Sequence, residues 1–209
     1  MTSRSNAPSR RAQAKAGTHA RILASASRLI RHEGLAAASV VRVMRGARLT
    51  VGGFYAHFRS KRAMDAEALR ATLADMRRTW FAGLEDSSGV DWLARAVKRY
   101  LAPAHRDDLT VGCPLPSVLS ELAHADRGTR NAMAEELEEA ARRFTEQSPE
   151  SDDVSARERA LATLALCVGG LALARALRDH PAGDELLRAC VKWALPETRG
   201  RRIRKGDRP

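Results

Sequence analysis

Thr50-Val51-Gly52-Gly53-Phe54-Tyr55-Ala56-His57-Phe58-Arg59-Ser60-Lys61 is the stretch on which the reading of this chain depends. Val51, Phe54, Tyr55 and Phe58 recur at i, i+3, i+4 and i+7, the spacing of one buried helical stripe, and Thr50 is placed to cap its start. Ser60 caps the helix after it, whose stripe is Leu69, Leu73, Met76, Trp80 and Leu84. Upstream, Ser39 caps a short helix with Val40, Val43, Met44 and Ala47 on one face, and Ala47–Thr50 is too short to be more than a turn. Two short helices joined by a tight turn make the helix-turn-helix plan. Helices of this length are marginal alone. They therefore need a support: the helix that starts near Thr18, with Ile22, Ala26, Leu29 and Ile30 inward and Gly34 as its stop, and the helix capped by Ser60.

Working outward, the chain reads as all-α, with about nine helices. Ala, Leu, Arg and Glu abound, β-branched residues are sparse, and no segment alternates with period two for long. After Ser87-Ser88-Gly89, helices are expected near 90–102, over a short segment at 115–122, and over 129–147, 154–179 and 186–194, with 103–114 a loop and 148–153 a linker. The expected organisation is a disordered basic arm (1–16), a helix-turn-helix domain (17–62), an effector-binding and dimerisation domain (63–195) and a disordered basic tail (196–209). The longest apolar run, 160–174, is shorter than the roughly 20 residues a bilayer requires, so no membrane partner is expected. Three cysteines without a CxxC pair fit a reducing cytoplasm and supply no disulfide framework; no metal or cofactor is called for, and no catalytic motif is visible.

Charge sharpens the picture. The net charge of +11 is not spread evenly: residues 1–62 hold 13 Lys and Arg against one acid, Glu33, while residues 63–195 hold 17 against 22. A concentrated cation on a mildly acidic body is the footprint of a protein that meets a polyanion. In a helix-turn-helix the outer face of the second helix enters the major groove. Here that face offers Thr50 to a phosphate or a base edge, Gly52 and Gly53 to a close approach of the backbone, and Tyr55 and His57 to phosphate oxygens. Tyr55 is expected to keep its ring inside and its hydroxyl on the DNA backbone. Lys61 adds a cation at a helix start that already favours anions. Two glycines inside a helix cost about 1–2 kcal/mol, which demands a packing or contact reason.

The stretch from Ala20 to Leu69, and above all the string from Gly52 to Lys61, resembles the DNA-binding domain of the TetR family of transcriptional regulators. The resemblance implies phosphate contacts from Tyr55, His57 and Lys61, lesser ones from Ser39 and the first-helix arm, and base reading from the turn through Gly53. Members of that family usually carry Gly where Arg48 stands and Ala where Met44 stands; Arg48 then needs a left-handed backbone, or adds a phosphate contact of its own. The resemblance further implies a homodimer, double-stranded operator DNA and a small-molecule effector as partners, with repression as the commoner output. Helices eight and nine are the expected dimer interface, through Leu164, Val168, Leu171, Leu187 and Val191. Candidate effector-pocket residues are Trp80, Phe81, Trp92, Tyr100, His105, Cys113 and His124. Alternatives are a thiol sensor built on Cys113, whose position near a helix start would lower its pKa, and an architectural DNA-binding protein.

Overall fold

A computed structural model describes residues 9–110, 112–148 and 154–195. They form nine α-helices and one 3₁₀ helix, with no strand among the described residues. In order these are α1 (Arg10–Glu33), α2 (Val40–Gly46), the 3₁₀ helix (Val51–Ala56), α3 (Lys61–Phe81), α4 (Gly89–Tyr100), α5 (Pro103–Asp107), α6 (Leu115–Leu122), α7 (Arg127–Gln147), α8 (Ala156–Ala176) and α9 (Pro181–Ala194).

Two of the caps read from the sequence, Ser39 and Ser60, are present. The Ser39 hydroxyl accepts from the Arg42 amide and the Ser60 hydroxyl from that of Ala63. Ser155 and Glu158 add a reciprocal capping box at the start of α8. The head of the molecule is α1, α2 and the 3₁₀ helix, closed around Ile22, Ala26, Ile30, Val43, Met44, Phe54 and Phe58. The body is α4 to α9. α3 belongs to both: it packs on α1 at one end and on α7 along its length. Its inward residues Met64, Leu69, Leu73, Met76 and Trp80 continue the core from one region into the other.

Three expectations change. The first helix begins at Arg10, not near Thr18, so residues 10–16 are helical rather than a disordered arm; residues 1–8 lie outside the described part, as does the tail from 196. Ala12, Ala14 and Ala16 are the best helix formers, and they extend a helix already nucleated by its packed second half. The 103–114 loop contains α5, started by Pro103 at its first position. Finally, Leu164, Leu171 and Leu187 are buried within the single chain, where α8 and α9 pack on each other, so they cannot form an interface with a second copy. Gly170 makes that packing close: a Cβ there would lie 2.7 Å from Cys190 Sγ. Val168 and Val191 are half-buried.

α8 is 21 residues long, enough by length and composition to span a bilayer. One side of it lines the core through Thr163, Leu164, Cys167, Leu171 and Ala174. The opposite side is apolar and uncovered, with Leu173 57% exposed; α9 adds Trp193 at 77%.

Candidate nucleic-acid interface and effector cavity

The turn between α2 and the 3₁₀ helix is built on Arg48, the one non-glycine residue with positive φ among the described residues, at 56°. The Leu49 amide reaches back to the Met44 carbonyl and the Arg48 amide to that of Arg45, the paired bonds of a Schellman stop. The left-handed backbone expected at Arg48 is thus present, and its side chain is exposed. The segment after this turn is wound more tightly than the expected α-helix. The Gly53 amide bonds to the Thr50 carbonyl and His57 to Phe54, three residues back in each case. Phe54 points inward, as does Phe58, which lies past the end of the 3₁₀ helix with its amide on the Phe54 carbonyl four residues back, whereas Tyr55 is 72% exposed and Val51 45%. The Tyr55 ring, expected inside, lies outside and meets Phe54 edge-on, 5.2 Å between centroids. Thr50 precedes the 3₁₀ helix but makes no side-chain capping bond.

Gly52 and Gly53 yield the sharpest observation. A Cβ on Gly52 would meet nothing within 4 Å, and one on Gly53 only the Met44 methyl at 3.8 Å. Neither has a positive φ. The protein itself has room for side chains at both positions.

Several basic residues of the head are already committed. Arg21 donates to the Ala47 carbonyl at 2.6 Å, Arg31 is buried on Asp75, and Arg42 pairs with Glu33. Lys61, expected at a phosphate, turns its ammonium inward to Asp65 Oδ2 at 2.7 Å and the Leu35 carbonyl at 3.3 Å. Asp65 is buried, which pushes its carboxyl pKa up against the pull of Lys61; the buried carboxylate holds the lysine. Arg10, Arg11, Lys15, Arg45, Arg48 and Arg59 remain exposed. His57 is half-buried, its Nδ1 enclosed without a hydrogen-bond partner, and its ring lies 6.1 Å from that of His19. Burial lowers the His57 pKa, and the nearby positive charges of His19 and Lys15 lower it further. His19 stacks on Phe58 and holds Glu67 at 2.6 Å.

In the body, a cavity of about 310 Å³ opens between α3, α4 and α5, walled by Met76, Thr79, Trp80, Arg99, Tyr100 and His105. Of the seven candidate pocket residues it gathers three: Trp80, Tyr100 and His105. Phe81 and Trp92 line a separate surface groove and join Trp80 and Phe144 in an aromatic cluster with centroid spacings of 4.9 to 5.3 Å. His124 is exposed in the crease between head and body. Cys113 is buried, and burial raises its thiol pKa despite the bond from the Leu115 amide. The lowering expected from a helix start is outweighed by desolvation, which favours the protonated thiol.

A route between cavity and head emerges that the sequence did not suggest. His105 Nδ1 faces the Tyr100 carbonyl at 2.6 Å and so carries the proton; Nε2 accepts the Cys113 amide at 2.9 Å. Arg175 of α8 clamps the carbonyls of His105, Arg106 and Cys113. α6 starts two residues after Cys113. From it, Ser117 donates to the Arg31 carbonyl, and the Glu121 carboxylate accepts the amides of Leu35 and Ala36 at 2.9 and 2.6 Å. Gly34, with φ of 88°, makes the contact possible, since a Cβ there would sit 2.1 Å from Glu121 Oε1. The only hint of this in the sequence is that Ser117 and Glu121 share a helix face.

Residues 22–68 match the sequence model of the tetR family of bacterial regulatory proteins. Comparison with curated proteins finds no match. Among solved structures the chain resembles Escherichia coli NemR in its reduced form, with a TM-score of 0.72 and 18% identity over 85% of this chain and 95% of that one. It also resembles a TetR transcriptional regulator from Chloroflexus aurantiacus, at TM-score 0.70 and 22% identity over 87% and 96% of the two chains. A third is a regulator from Saccharomonospora viridis in complex with choline, at TM-score 0.67 and 20% identity over 85% and 95%. At these identities the structural likeness speaks for the fold.

Proposed function

We infer, from residues 22–68 belonging to the tetR family of bacterial regulatory proteins, that the chain is a DNA-binding transcriptional regulator whose head reads a palindromic operator as a dimer. The observation that carries this reading is the glycine pair. Gly52 and Gly53 are costly in a helical turn, yet nothing among the described residues needs them. Their reason must lie outside it, in a surface that comes close to the backbone there. With Tyr55, Val51 and the Arg48 side chain exposed around them, that surface is the floor and phosphate rim of a major groove. Thr50 and Val51 take the base edges, Arg48, Tyr55 and His57 the phosphates, and Ser39 a flanking phosphate. Lys61 acts from behind, anchoring the start of α3.

The dimer forms through the uncovered face of α8 and α9, where Ala162, Ala165, Leu173, Leu177, Ala189 and Trp193 replace the buried leucines of the sequence reading. Regulation runs through the two connections between regions. A small, mainly apolar effector in the α3–α4–α5 cavity contacts the far end of α3 directly and displaces α6 through His105 and Cys113. Either motion reorients the heads and releases the operator, so the output is repression relieved by ligand. The choline-bound relative shows that a neighbour in this fold holds a small molecule.

Gly52→Ala tests the reading cleanly. It should raise the stability of the free protein by about 0.5–1 kcal/mol and at the same time weaken DNA binding. The binding arm is a competition assay between the gene's own upstream region and bulk DNA, where the unaltered protein should show a preference of roughly 10³-fold or more. A variant that gains stability and binds as before would place the interface elsewhere.

A further inference from the structure

Behind the α3–α4–α5 cavity lies a smaller one of about 40 Å³, and the two share a wall made by Met76, Trp80 and Tyr100. This annex is apolar. Leu73, Leu115, Met133, Leu137, Leu164 and Val168 line it, and the charged pair at its edge, Arg77 and Glu136, is closed on itself at 3.1 Å. At that size it holds no more than a few waters and admits a chain only when a wall gives way. Two of its walls are methionines, whose unbranched side chains refit readily. Met76, buried, is the flexible member of the wall between the two spaces.

At the mouth, most polar groups are committed. Trp80 donates its indole N–H to the Ala96 carbonyl, Thr79 its hydroxyl to the Asp75 carbonyl, and His105 uses both ring nitrogens. Asp108 accepts the Thr110 amide and hydroxyl. Arg99 differs. Its Nη1 is anchored on the Trp80 and Ala82 carbonyls at 2.9 and 2.5 Å, which fixes the guanidinium at the rim, and among the described residues it is in no ion pair. A fixed guanidinium without a counter-anion beside an apolar hole selects an anionic head. The rings do not favour a cation instead. Trp80 and Tyr100 lie against each other at 4.4 Å, with His105 on Tyr100 at 4.8 Å, which leaves no open cage of aromatic faces.

We propose that cavity and annex open into one bent channel for a single-chain carboxylate, with its head at Arg99 and its hydrocarbon tail passing Met76 to press on Leu115. This rests on the reading of the cavity as the effector site. It gives that site a direct push on the joint: Leu115 opens α6, and Ser117 and Glu121 of the same helix hold the end of α1 and the amides of Leu35 and Ala36. A chain too short to pass Met76 binds without moving α6, so tail length sets the response.

The test uses the full-length protein and the sodium salts butyrate, hexanoate, octanoate and decanoate. Decanol and decyltrimethylammonium serve as head-group controls, each probe below its micelle concentration. Calorimetric affinity should climb about fourfold per methylene once the tail passes Met76, the equivalent of about 0.8 kcal/mol for each buried CH₂. Amide exchange at Leu35 and Ala36 should accelerate with decanoate and not with butyrate at matched occupancy. Val168→Phe, which fills the annex from a half-buried position, should abolish the length dependence while thermal unfolding stays cooperative; Ala140→Leu should do the same from α7. Arg99→Gln should weaken decanoate about tenfold and leave decanol nearly unchanged, and Arg99→Lys should restore part of the loss. A flat length series in the unaltered protein, which needs no variant to fold, or a slope that survives in folded Val168→Phe, overturns the channel. Decanol or decyltrimethylammonium binding as tightly as decanoate overturns the carboxylate head. Decanoate that binds with the expected slope but changes neither the two amides nor operator affinity upholds the channel and removes the effector reading beneath it.

Discussion

Arginine is used in opposite ways at the two ends of this molecule. In the body several arginines are paired within the surface: Arg77 with Glu136 and Glu139, Arg142 with Glu139 and Glu146, Arg157 with Glu138. In the head the residues that hold the fold together, Arg21, Arg31, Arg42 and Lys61, are the ones with protein partners. Arg10, Arg11 and Lys15 stand exposed along the start of α1, and Arg45, Arg48 and Arg59 around the recognition turn. The lesson is that a basic segment is not a uniform DNA-binding surface. Part of its charge is structural, and only the remainder awaits a polyanion. Lys61 shows how the two are confused: its place at a helix start suggests phosphate, but a buried carboxylate one turn on claims it.

The contrast between head and body is broken most directly at the joint between them. Glu121→Ala removes the acceptor of two backbone amides, Leu35 and Ala36. A hydrogen bond to a charged group is worth about 1.5–3 kcal/mol, and an amide left unpaired costs more if water cannot reach it. A loss of about 2–3 kcal/mol in global stability is expected. Amide exchange at Leu35 and Ala36 should accelerate while the core of α8 stays protected. Glu121→Gln, which keeps an acceptor, should lose less. Exchange that remains slow at both amides in the alanine variant would show that α6 does not hold the head.

How much of this was readable without coordinates depends on how local the determining interactions are. Ser39, Ser60 and the left-handed residue at Arg48 act within a few positions of themselves, and all were legible. The 3₁₀ turn was not, because a stripe at i, i+3, i+4 cannot separate it from an α-helix until hydrogen bonds are seen; the misreading put Tyr55 inside. The α1 extension has no apolar period to reveal it and exists by propagation from Ile22 onward. In the body, Trp80, Trp92 and Phe144 come together from three helices far apart in sequence, and the Cys113–His105–Tyr100 chain joins a loop to two helices. Periodicity identified each as inward and could not say which neighbours it would meet. The same limit explains Leu164, Leu171 and Leu187, correctly apolar and wrongly assigned to a second chain.

Arg48→Gly separates structure from function within the head. Glycine adopts the left-handed conformation without the Cβ clash, so the free protein should gain about 1 kcal/mol, read as a higher denaturation midpoint with unchanged slope. The same change deletes an exposed cation beside the recognition turn, and the salt dependence of DNA binding should fall by about 0.9 for each chain. Gain in stability with no change in salt dependence would mark Arg48 as a residue of the turn alone.

The smallest expected effect concerns His57, and its sign differs between the free and bound protein. In the free protein its pKa is below 6.5, from burial first and then from His19 and Lys15. The unfolded chain therefore takes up the proton more readily. The stability that neutral His57 contributes is present above pH 6.5 and is lost as pH falls through the depressed folded value. On DNA a phosphate oxygen beside the ring would favour the imidazolium and raise the pKa again. Binding then takes up a proton, and affinity should increase as pH falls through the interval between the two values, by less than about tenfold because each pKa unit is worth only 1.4 kcal/mol. The His19 ring lies nearby but already faces Glu67, so its contacts should persist in a variant at 57. His57→Gln should flatten most of the pH dependence of binding while keeping a polar contact. A proton uptake that survives this substitution would move the phosphate contact from His57 to its neighbour on α1.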